Sequence, residues 1–247
     1  MFLSHTNSLP TGETLSVCRG DAASACQLGK SAIILPHQIV VSALAKDDDK
    51  RRAAEALINR RYQAQFGIGI EVDYPLLLTL AKRSGEVLAA VGLRCAADGP
   101  LFLEQYLDRP IELELARHGL GTHRREKIVE LGSLASVSNS ASLYLVAAMA
   151  AYMEARRYRV ATVTGTRRLR RLFSLFDFKI KTLAAARQER LADQRTDWGS
   201  YYNDDPWVLA GTVRQCFEAA ILRAESLSTP ARRAVLDEIV AQVGERI

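Results

Sequence analysis

A carboxylate interrupts an apolar run near the middle of the chain. Glu130 lies within "IVELGSLA", and a stretch of small polar residues from Ser136 to Ser142 follows it. Burial in an apolar strand raises the pKa of a carboxylate and suits it to act as a general base. A structural ion pair with Arg94 or Lys127 would explain the same residue equally well. The pattern therefore indicates either a binding site where a strand ends and a helix begins, or a buried strand followed by an ordinary helix cap.

The composition is that of a folded chain with a substantial core. The chain has 247 residues, of which 48% are hydrophobic, so it can bury a full core. Its longest apolar run, at 141–153, is shorter than the roughly 18 to 20 residues that a membrane span needs. The first residues show no basic region followed by an apolar one. We therefore expect a soluble, cytoplasmic protein.

The cysteines and the net charge argue against a metal site and against nucleic-acid binding. Cys18, Cys26, Cys95 and Cys216 form no CxxC pair, so we expect free thiols and no metal. The net charge is +5, but the arginine groups "HRREK" and "TRRLRRLF" are short for a nucleic-acid interface. An anionic cofactor or an acidic carrier protein would explain a local basic surface of this kind.

The apolar pattern predicts an α/β fold. Residues 1–30 predict a loosely attached extension, and residues 206–225 and 228–247 predict two amphipathic helices, the second beginning at Pro230. Between them the pattern predicts one or two strands from Ala32, a helix at 50–66, a hairpin at 75–96, a short helix after Pro100, a strand or helix near 111–117, a strand at 127–135, a helix at 139–157, a strand at 158–166, a short helix at 167–178 and a strand at 178–186. This order predicts a mixed, twisted β-sheet with helices on both faces. We expect one domain over 31–211, with a helical segment over 212–247 packed on it.

Several short segments carry a resemblance to a known family. In chain order they are "YPLLLTL", "GEVLAAVGLRCA", "PLFLEQYLDRPIE", "IVELGSLAS", "TVTGTRRLRRLF", "LAAA" and "WGSYY". They resemble the successive motifs of the bacterial thermostable haemolysin family, whose name records cell lysis and no mechanism. The predicted element order is also similar to the GNAT fold of N-acetyltransferases and of acyl-homoserine-lactone synthases.

The resemblance implies where an acyl donor would bind. In acetyltransferase-like folds two parallel strands separate, and a thioester donor lies in the gap between them. Here those strands would be 127–135 and 159–166, with Glu130 as the catalytic acid–base group. The pyrophosphate of coenzyme A would lie on the N-terminus of the next helix, where free N–H groups favour an anion. The cofactor contacts expected there are Leu134, Ala135, Ser136, Ser138, Asn139 and Ser140.

Seven side chains are candidate substrate contacts, and each has a structural alternative. Arg94 could hold a carboxylate bidentately or lie on the solvent face of a strand. Glu104 could bind an amine or be a solvated helix residue. Aromatic side chains near the end of the domain could line an acyl pocket or pin a loop to the core. The full set comprises Arg94, Glu104, Tyr106, Thr164, Thr166, Trp198 and Tyr202.

The sequence departs from the related folds at several positions. Val137 to Ser142 lack the Arg or Gln and the glycines of the usual phosphate cradle, and Phe173 replaces the usual tyrosine acid. Asp177 replaces a glycine, and Ser133 stands where lactone synthases carry an arginine, which argues against a homoserine-lactone product. An acyl carrier protein needs no such cradle, and its acidic surface could meet Arg124, Arg125, Arg167, Arg168, Arg170 and Arg171.

These observations favour an N-acyltransferase that moves an acyl group to an amine, such as an amino acid or a small amine. The donor is acyl-CoA or an acyl carrier protein, acting as a co-substrate, with no tightly bound cofactor. Two alternatives stay open from the sequence. One is a membrane-active haemolysin, and the other is a non-catalytic binding protein on the same fold.

Overall fold

The structure is a computed structural model that describes residues 32–34, 39–193, 195–226 and 229–246. Within them, eight strands form one sheet in the order β1-β2-β3-β4-β5-β6-β8-β7. The strands are β1 (Ala32–Ile34), β2 (Ile39–Ala45), β3 (Leu76–Lys82), β4 (Val87–Cys95), β5 (Ile128–Ser136), β6 (Val160–Gly165), β7 (Lys181–Ala185) and β8 (Trp207–Thr212). The pair β5 and β6 is parallel, and the other neighbouring strands are antiparallel. The predicted extension over 1–30, with Cys18 and Cys26, lies outside the described residues.

In the part of the chain that the structure describes, six α-helices cover the two faces of the sheet. They are α1 (Arg51–Phe66), α2 (Ile111–Arg117), α3 (Asn139–Ala155), α4 (Arg167–Ser174), α5 (Val213–Ser226) and α6 (Pro230–Arg246). A 3₁₀ turn at Phe102–Tyr106 precedes α2. The predicted mixed sheet with helices on both faces and with C-terminal helices is confirmed. In the described part of the chain, no helix combines the length and apolar character that crossing a bilayer requires.

Helix α3 is the centre of the larger core. Ser138 caps its start, since the Ser138 Oγ accepts a hydrogen bond of 3.1 Å from the amide of Ala141. Most of the helix is buried, because it lies between the sheet on one side and α5 and α6 on the other. A helix covered on several sides needs no polar stripe, which explains the apolar run of this segment. The C-terminal helices thus share a core with the sheet.

The two faces of the sheet carry different chemistry. Cross-strand partners and alternate residues share a face, so Leu131, Val163 and Leu209 form a single row that packs against the α3 side. Glu130 and Thr162 form the neighbouring row on the opposite face. That face is covered by α1, by the 3₁₀ turn with α2, and by the segment that contains Trp198. Glu130 is therefore a buried carboxylate on the second face of the sheet.

One predicted element is wrong. The segment from Trp207 to Thr212 is strand β8, whereas the sequence predicted that the helix begins near residue 206. Val208, Leu209 and Ala210 are all buried because β8 is covered on both faces, so its residues do not alternate between apolar and polar. Strand β8 lies between β6 and β7 and pairs antiparallel with both. The helix that follows starts at Val213.

Candidate active site

Strands β5 and β6 separate part of the way along their length. Their register comprises four pairs, from Ile128 with Val160 to Leu131 with Val163. Beyond the last pair, β5 continues to Ser136 and β6 continues to Gly165. The backbone groups of β5 past Leu131 therefore face an opening, which we call the gap. Gly132 and Thr164 are the first residues of the two strands beyond the last pair.

A β-bulge lies where the gap begins. Gly92 pairs with Gly132 and Ala90 pairs with Ala135, so β5 has one residue more than β4 over this stretch. Ser133 accommodates the extra residue with a φ of 50°, in the left-handed region that non-glycine residues seldom adopt. Bulges of this kind redirect a strand next to binding sites. Here the bulge accompanies the departure of β5 from β6.

Glu130 is held by backbone amides. Its Oε2 accepts a hydrogen bond of 3.0 Å from the amide of Phe102, and its Oε1 accepts one of 2.8 Å from the amide of Leu103. The residue is 1% exposed. Burial raises the pKa of Glu130 to about 7, although the two amides and the Arg94 charge act in the opposite direction. A carboxylate with a pKa near neutrality is matched to general-base work at physiological pH.

The ion pair considered for Glu130 does not form in the described structure. Arg94 lies directly opposite Glu130 on β4, but its Nη2 donates to the carbonyl oxygen of Asp73 and, at 3.0 Å, to the Asp73 carboxylate. Lys46 and Arg94 together lower the pKa of Asp73. Within the described residues, the Nε and Nη1 of Arg94 have no hydrogen-bond partner and Lys127 makes no ion pair. Arg94 therefore keeps donors for a further anion.

Glu104 belongs to a network that fixes the turn beneath Glu130. Arg125 donates from Nη1 and Nη2 to the two Glu104 oxygens at 2.8 and 2.9 Å, and also binds Glu112 at 2.9 Å. The Glu104 carboxylate further accepts from the amides of Leu101 and Ile111. Burial alone would raise the pKa of Glu104, but Arg125 and the amides outweigh it and lower the pKa. These contacts show that Glu104 holds the turn, and contact between Glu104 and an amine stays a prediction.

Aromatic side chains form a wall beside the same turn. The ring of Phe102 lies 5.8 Å from that of Trp198 and 6.0 Å from that of Tyr106, measured between centroids. The hydroxyls of Tyr106 and Tyr202 lie 2.6 Å apart and share a hydrogen bond. Burial raises the pKa of both phenols. Because Phe102 also donates its amide to Glu130, the structure brings Tyr106, Trp198 and Tyr202 to the Glu130 side of the sheet.

Two buried polar atoms near this wall lack partners in the described structure. They are the hydroxyl of Thr164 and the indole Nε1 of Trp198. Thr164 shares a face with Thr162 and Glu130, and it pairs with Val208, which lies in the apolar cluster that Trp198 contacts. Buried polar groups without partners are rare, so both atoms are suited to bind a ligand. Thr166 instead lies at the start of α4, where it is buried.

The segment expected to hold a cofactor follows the gap. Leu134 and Ala135 lie on β5 past the last pair with β6, and Ala135 is buried against α1. Ser136 and Ser142 share a hydrogen bond of 2.5 Å between their hydroxyls. Ser138 and Asn139 are exposed at the N-terminus of α3, where the first amides of a helix have no intrahelical partner. An anion can therefore approach this end of α3.

An apolar cavity lies on the other side of the gap. It has a volume of about 30 Å³, room for roughly two water-sized groups. Leu131 and Val163, the last pair before the gap, form part of its wall. The other lining residues are Met149, Ala150, Met153, Ala161, Phe173, Phe178, Ile180, Leu209, Ala210, Gly211 and Cys216. Phe173, at the position of the usual tyrosine acid, thus contributes a cavity wall and no proton. Asp177 has a φ of 54°, a conformation that suits the glycine it replaces.

Sequence reasoning missed Tyr74, Arg51 and Asp73. It expected Arg125 to meet a carrier protein, whereas Arg125 binds Glu104 and Glu112. Their contacts join residues more than twenty positions apart, as in Arg94 with Asp73 and Arg125 with Glu104. One signal was available for Tyr74. Gly92 and Gly132 both interrupt strands, and glycine inside a strand marks the close approach of another group. A side-chain carbon on either glycine would overlap the Tyr74 ring.

Comparison with solved structures identifies the fold. BjaI, a CoA-dependent acyl-homoserine lactone synthase solved with SAM and isopentyl-CoA, is 13% identical, with a TM-score of 0.50 over 84% of this chain and 99% of that chain. FeeM, an N-acyl amino acid synthase from uncultured soil microbes, is 15% identical, with a TM-score of 0.46 over 70% of this chain and 90% of that chain. At these identities the likeness to BjaI concerns the fold alone.

Comparison with protein families is more specific. A search of curated protein sequences finds none that matches the chain. The model of the family described as thermostable hemolysin matches residues 44–217. This range includes every strand from β3 to β8 and all of the candidate site residues. The chain therefore belongs to the thermostable hemolysin family, built on an acetyltransferase-like fold.

Proposed function

We propose that the protein is an N-acyltransferase that moves an acyl group from a thioester to an amine. The observation that carries the proposal is the position of Glu130, a buried carboxylate with a raised pKa, immediately before the gap between β5 and β6. An extended pantetheine arm could pair with the open edge of β5. Its thioester would then lie beside Gly132, next to the base.

The reaction follows from this arrangement. The nitrogen of the amine attacks the thioester carbonyl carbon, a C–N bond forms, and the C–S bond breaks to release a thiol. Glu130 takes the proton that the nitrogen loses, directly or through one water. The thiolate takes up a proton from water as it leaves, and Glu130 returns its proton to water, which restores the carboxylate. The amides of Phe102 and Leu103 fix the carboxylate in the orientation this transfer needs.

The acyl chain is assigned to the apolar cavity behind the gap. Leu131 and Val163 border both the gap and the cavity, so a chain entering between the strands reaches it directly. The cavity volume of about 30 Å³ accommodates a short chain, and longer chains require the cavity to widen. Met149 and Met153 line it, and methionine side chains adapt readily to a changed cavity.

The acceptor is assigned as an amine that carries a carboxylate. Arg94 lies on the same face as Glu130 and retains unpaired Nε and Nη1 donors among the described residues. Planar guanidinium groups recognise carboxylates by paired hydrogen bonds. An amino acid would thus place its carboxylate at Arg94 and its nitrogen towards Glu130. The aromatic wall of Phe102 and Trp198 would contact its side chain.

The donor is either acyl-CoA or an acyl carrier protein. Arg170 is tied to Asp205, but Arg167, Arg168 and Arg171 on α4 are exposed and make no ion pair in the described structure. Helix α4 begins directly after β6, at the gap. Its charges would attract the phosphates of coenzyme A or an acidic carrier surface equally. Kinetics with one acyl group presented on both donors would distinguish them.

The proposal is tested by thiol release from acyl thioesters in the presence of amino acids and amines. We expect turnover by the unmodified protein and a loss of about 10²- to 10⁴-fold in Glu130→Gln, which removes the base. The matched control is Glu86→Gln, since Glu86 is an exposed glutamate paired with Lys82 in the turn between β3 and β4. Absence of turnover with every donor, chain length and acceptor would refute the proposal.

A further inference from the structure

The Tyr74 ring lies across two strands of the sheet. Gly92 on β4 and Gly132 on β5 are direct cross-strand partners. The Cβ and Cγ end of Tyr74 lies over Gly92, and its hydroxyl lies over Gly132. The ring therefore points from β4 across β5, in the direction of β6. Any larger residue at either glycine would displace it.

Two arginines, Arg51 and Arg94, hold Tyr74 in this orientation. The buried Arg51 donates from Nη2 to the Tyr74 carbonyl oxygen at 2.6 Å and to the Val72 carbonyl oxygen at 3.2 Å. The guanidinium of Arg94 lies 5.4 Å from the centre of the Tyr74 ring, within range of a cation–π interaction. Arg94 also binds Asp73, the residue before Tyr74. The segment leading into β3 is thus fixed on both sides of the ring.

The Tyr74 hydroxyl points to the start of the gap. Gly132, which it overlies, is the first β5 residue beyond the last pair with β6. Glu130 lies two positions earlier on the same face, and after burial its negative charge helps to raise the pKa of the Tyr74 phenol. In the described structure this hydroxyl has no hydrogen-bond partner. A fixed donor without a partner is therefore aimed at the place where the thioester carbonyl would lie.

We propose that the Tyr74 hydroxyl donates a hydrogen bond to the carbonyl oxygen of the acyl thioester. This inference rests on the proposed acyl transfer. As the amine attacks, the carbonyl π electrons move to oxygen, and the Tyr74 hydrogen bond strengthens with the negative charge on that oxygen. The electrons return when the C–S bond breaks. Tyr74 keeps its proton throughout.

The surroundings of the phenol favour this role over proton donation to the thiolate. Burial, and after it the Glu130 charge, raise the pKa of Tyr74 well above its usual value of 10. A free thiol has a pKa of about 8.5, so such a phenol is a poor acid towards a thiolate. It remains a neutral O–H donor across the physiological range. A donor fixed by the protein needs no reorganisation during the reaction.

The test compares pairs of ligands that differ only at the carbonyl. Propanoyl-CoA, butanoyl-CoA and decanoyl-CoA carry the thioester carbonyl, and their thioether analogues propyl-CoA, butyl-CoA and decyl-CoA lack it. The same acyl and alkyl groups are also presented on an acyl carrier protein. We expect the unmodified protein to bind the thioester about fivefold more tightly, the effect of one neutral hydrogen bond. Tyr74→Phe keeps the ring and should abolish this preference. Tyr144→Phe, on α3 at the other face of the sheet, should retain it.

Infrared spectroscopy of ¹³C-labelled thioester gives an independent readout. The carbonyl stretch of the bound ligand should lie at lower frequency with the unmodified protein than with Tyr74→Phe. Equal frequencies and equal preferences in the two proteins would overturn the Tyr74 assignment alone. Failure of the unmodified protein to bind any of these ligands, at every chain length and on both coenzyme A and the carrier, would overturn the acyl transfer and with it this inference.

Discussion

Arg94 and Glu130 are direct cross-strand partners, yet each is bound to something else. Glu130 accepts from the amides of Phe102 and Leu103, whereas Arg94 binds Asp73. Among the described residues the Glu130 carboxylate therefore has no ion-pair partner, and burial raises its pKa to about 7. Its neighbour keeps donors for a substrate. The separation of these two charges is the basis for the proposed roles of Glu130 as a base and of Arg94 as an anion-binding group.

The first prediction concerns the pH dependence of thiol release. The active base is the deprotonated Glu130, so kcat/KM should rise about tenfold per pH unit at low pH and level off above about 7. The Asp73→Asn variant removes the carboxylate that compensates Arg94, which favours ionised Glu130 and should move the midpoint to lower pH. The control Glu86→Gln should have the same midpoint in the pH dependence of kcat/KM as the unmodified protein. If kcat/KM of Glu130→Gln rose with pH in the same way, the assignment of Glu130 as the base would be contradicted.

The second prediction concerns stability. The pKa of Glu130 is about 7 in the folded protein, above the roughly 4.3 of an unfolded chain, so the folded state holds this proton more tightly. The free energy of unfolding should therefore fall as the pH rises from about 4 to 7, by up to about 3 kcal/mol from this group. Urea unfolding at pH 5 and pH 8 measures the difference. Glu130→Gln should show a smaller fall, and an equal fall in both proteins would contradict the shift.

The third prediction concerns the acceptor. If Arg94 binds a carboxylate, Arg94→Gln should lower kcat/KM for leucine by about 10- to 100-fold, the value of charge-assisted hydrogen bonds. The same substitution should change kcat/KM little for isopentylamine, which is leucine without its carboxylate. Arg83→Gln, at an exposed turn position, serves as the matched control. Equal losses with the two acceptors would assign Arg94 a structural role.

The fourth prediction concerns acyl-chain length. Met149 lines the apolar cavity, so Met149→Ala should shift the donor preference towards longer chains. The volume-conserving change Met149→Leu should leave the preference in place. Met149→Ala is also expected to destabilise the fold by about 2 to 5 kcal/mol, so the preference is measured as a ratio of kcat/KM values. An unchanged ratio across the series would show that the chain binds elsewhere.

Much of the scaffold could be predicted from the sequence. Helix α1 was expected at 50–66 and spans Arg51–Phe66, and the strand, helix and strand around Glu130 lie close to their predicted positions. These elements have clear periodicity, a serine cap or a run of β-branched residues. Strand β8 has none of these, because both of its faces are buried and its apolar residues run on into α5. Local pattern cannot separate such a strand from the start of a helix.

The details of the site depend on contacts that sequence does not reveal. Glu130 was identified by its place in an apolar strand, but the amides that hold it come from residues 28 and 27 positions earlier. Whether Glu104 meets a substrate or an arginine depended on Arg125, which lies 21 positions away. Tyr74 is placed by three separate segments. Such placements follow from tertiary packing and become visible only in the structure.

The central claim is most directly tested by mass spectrometry of lipid extracts from cells that produce the unmodified protein or Glu130→Gln. The account predicts an N-acylated amine, an amino acid derivative by the Arg94 assignment, that is present with the unmodified protein and lost with Glu130→Gln. The matched Glu86→Gln variant should produce it as well. Identical extracts from all three, with each protein folded and present in equal amount, would contradict the account.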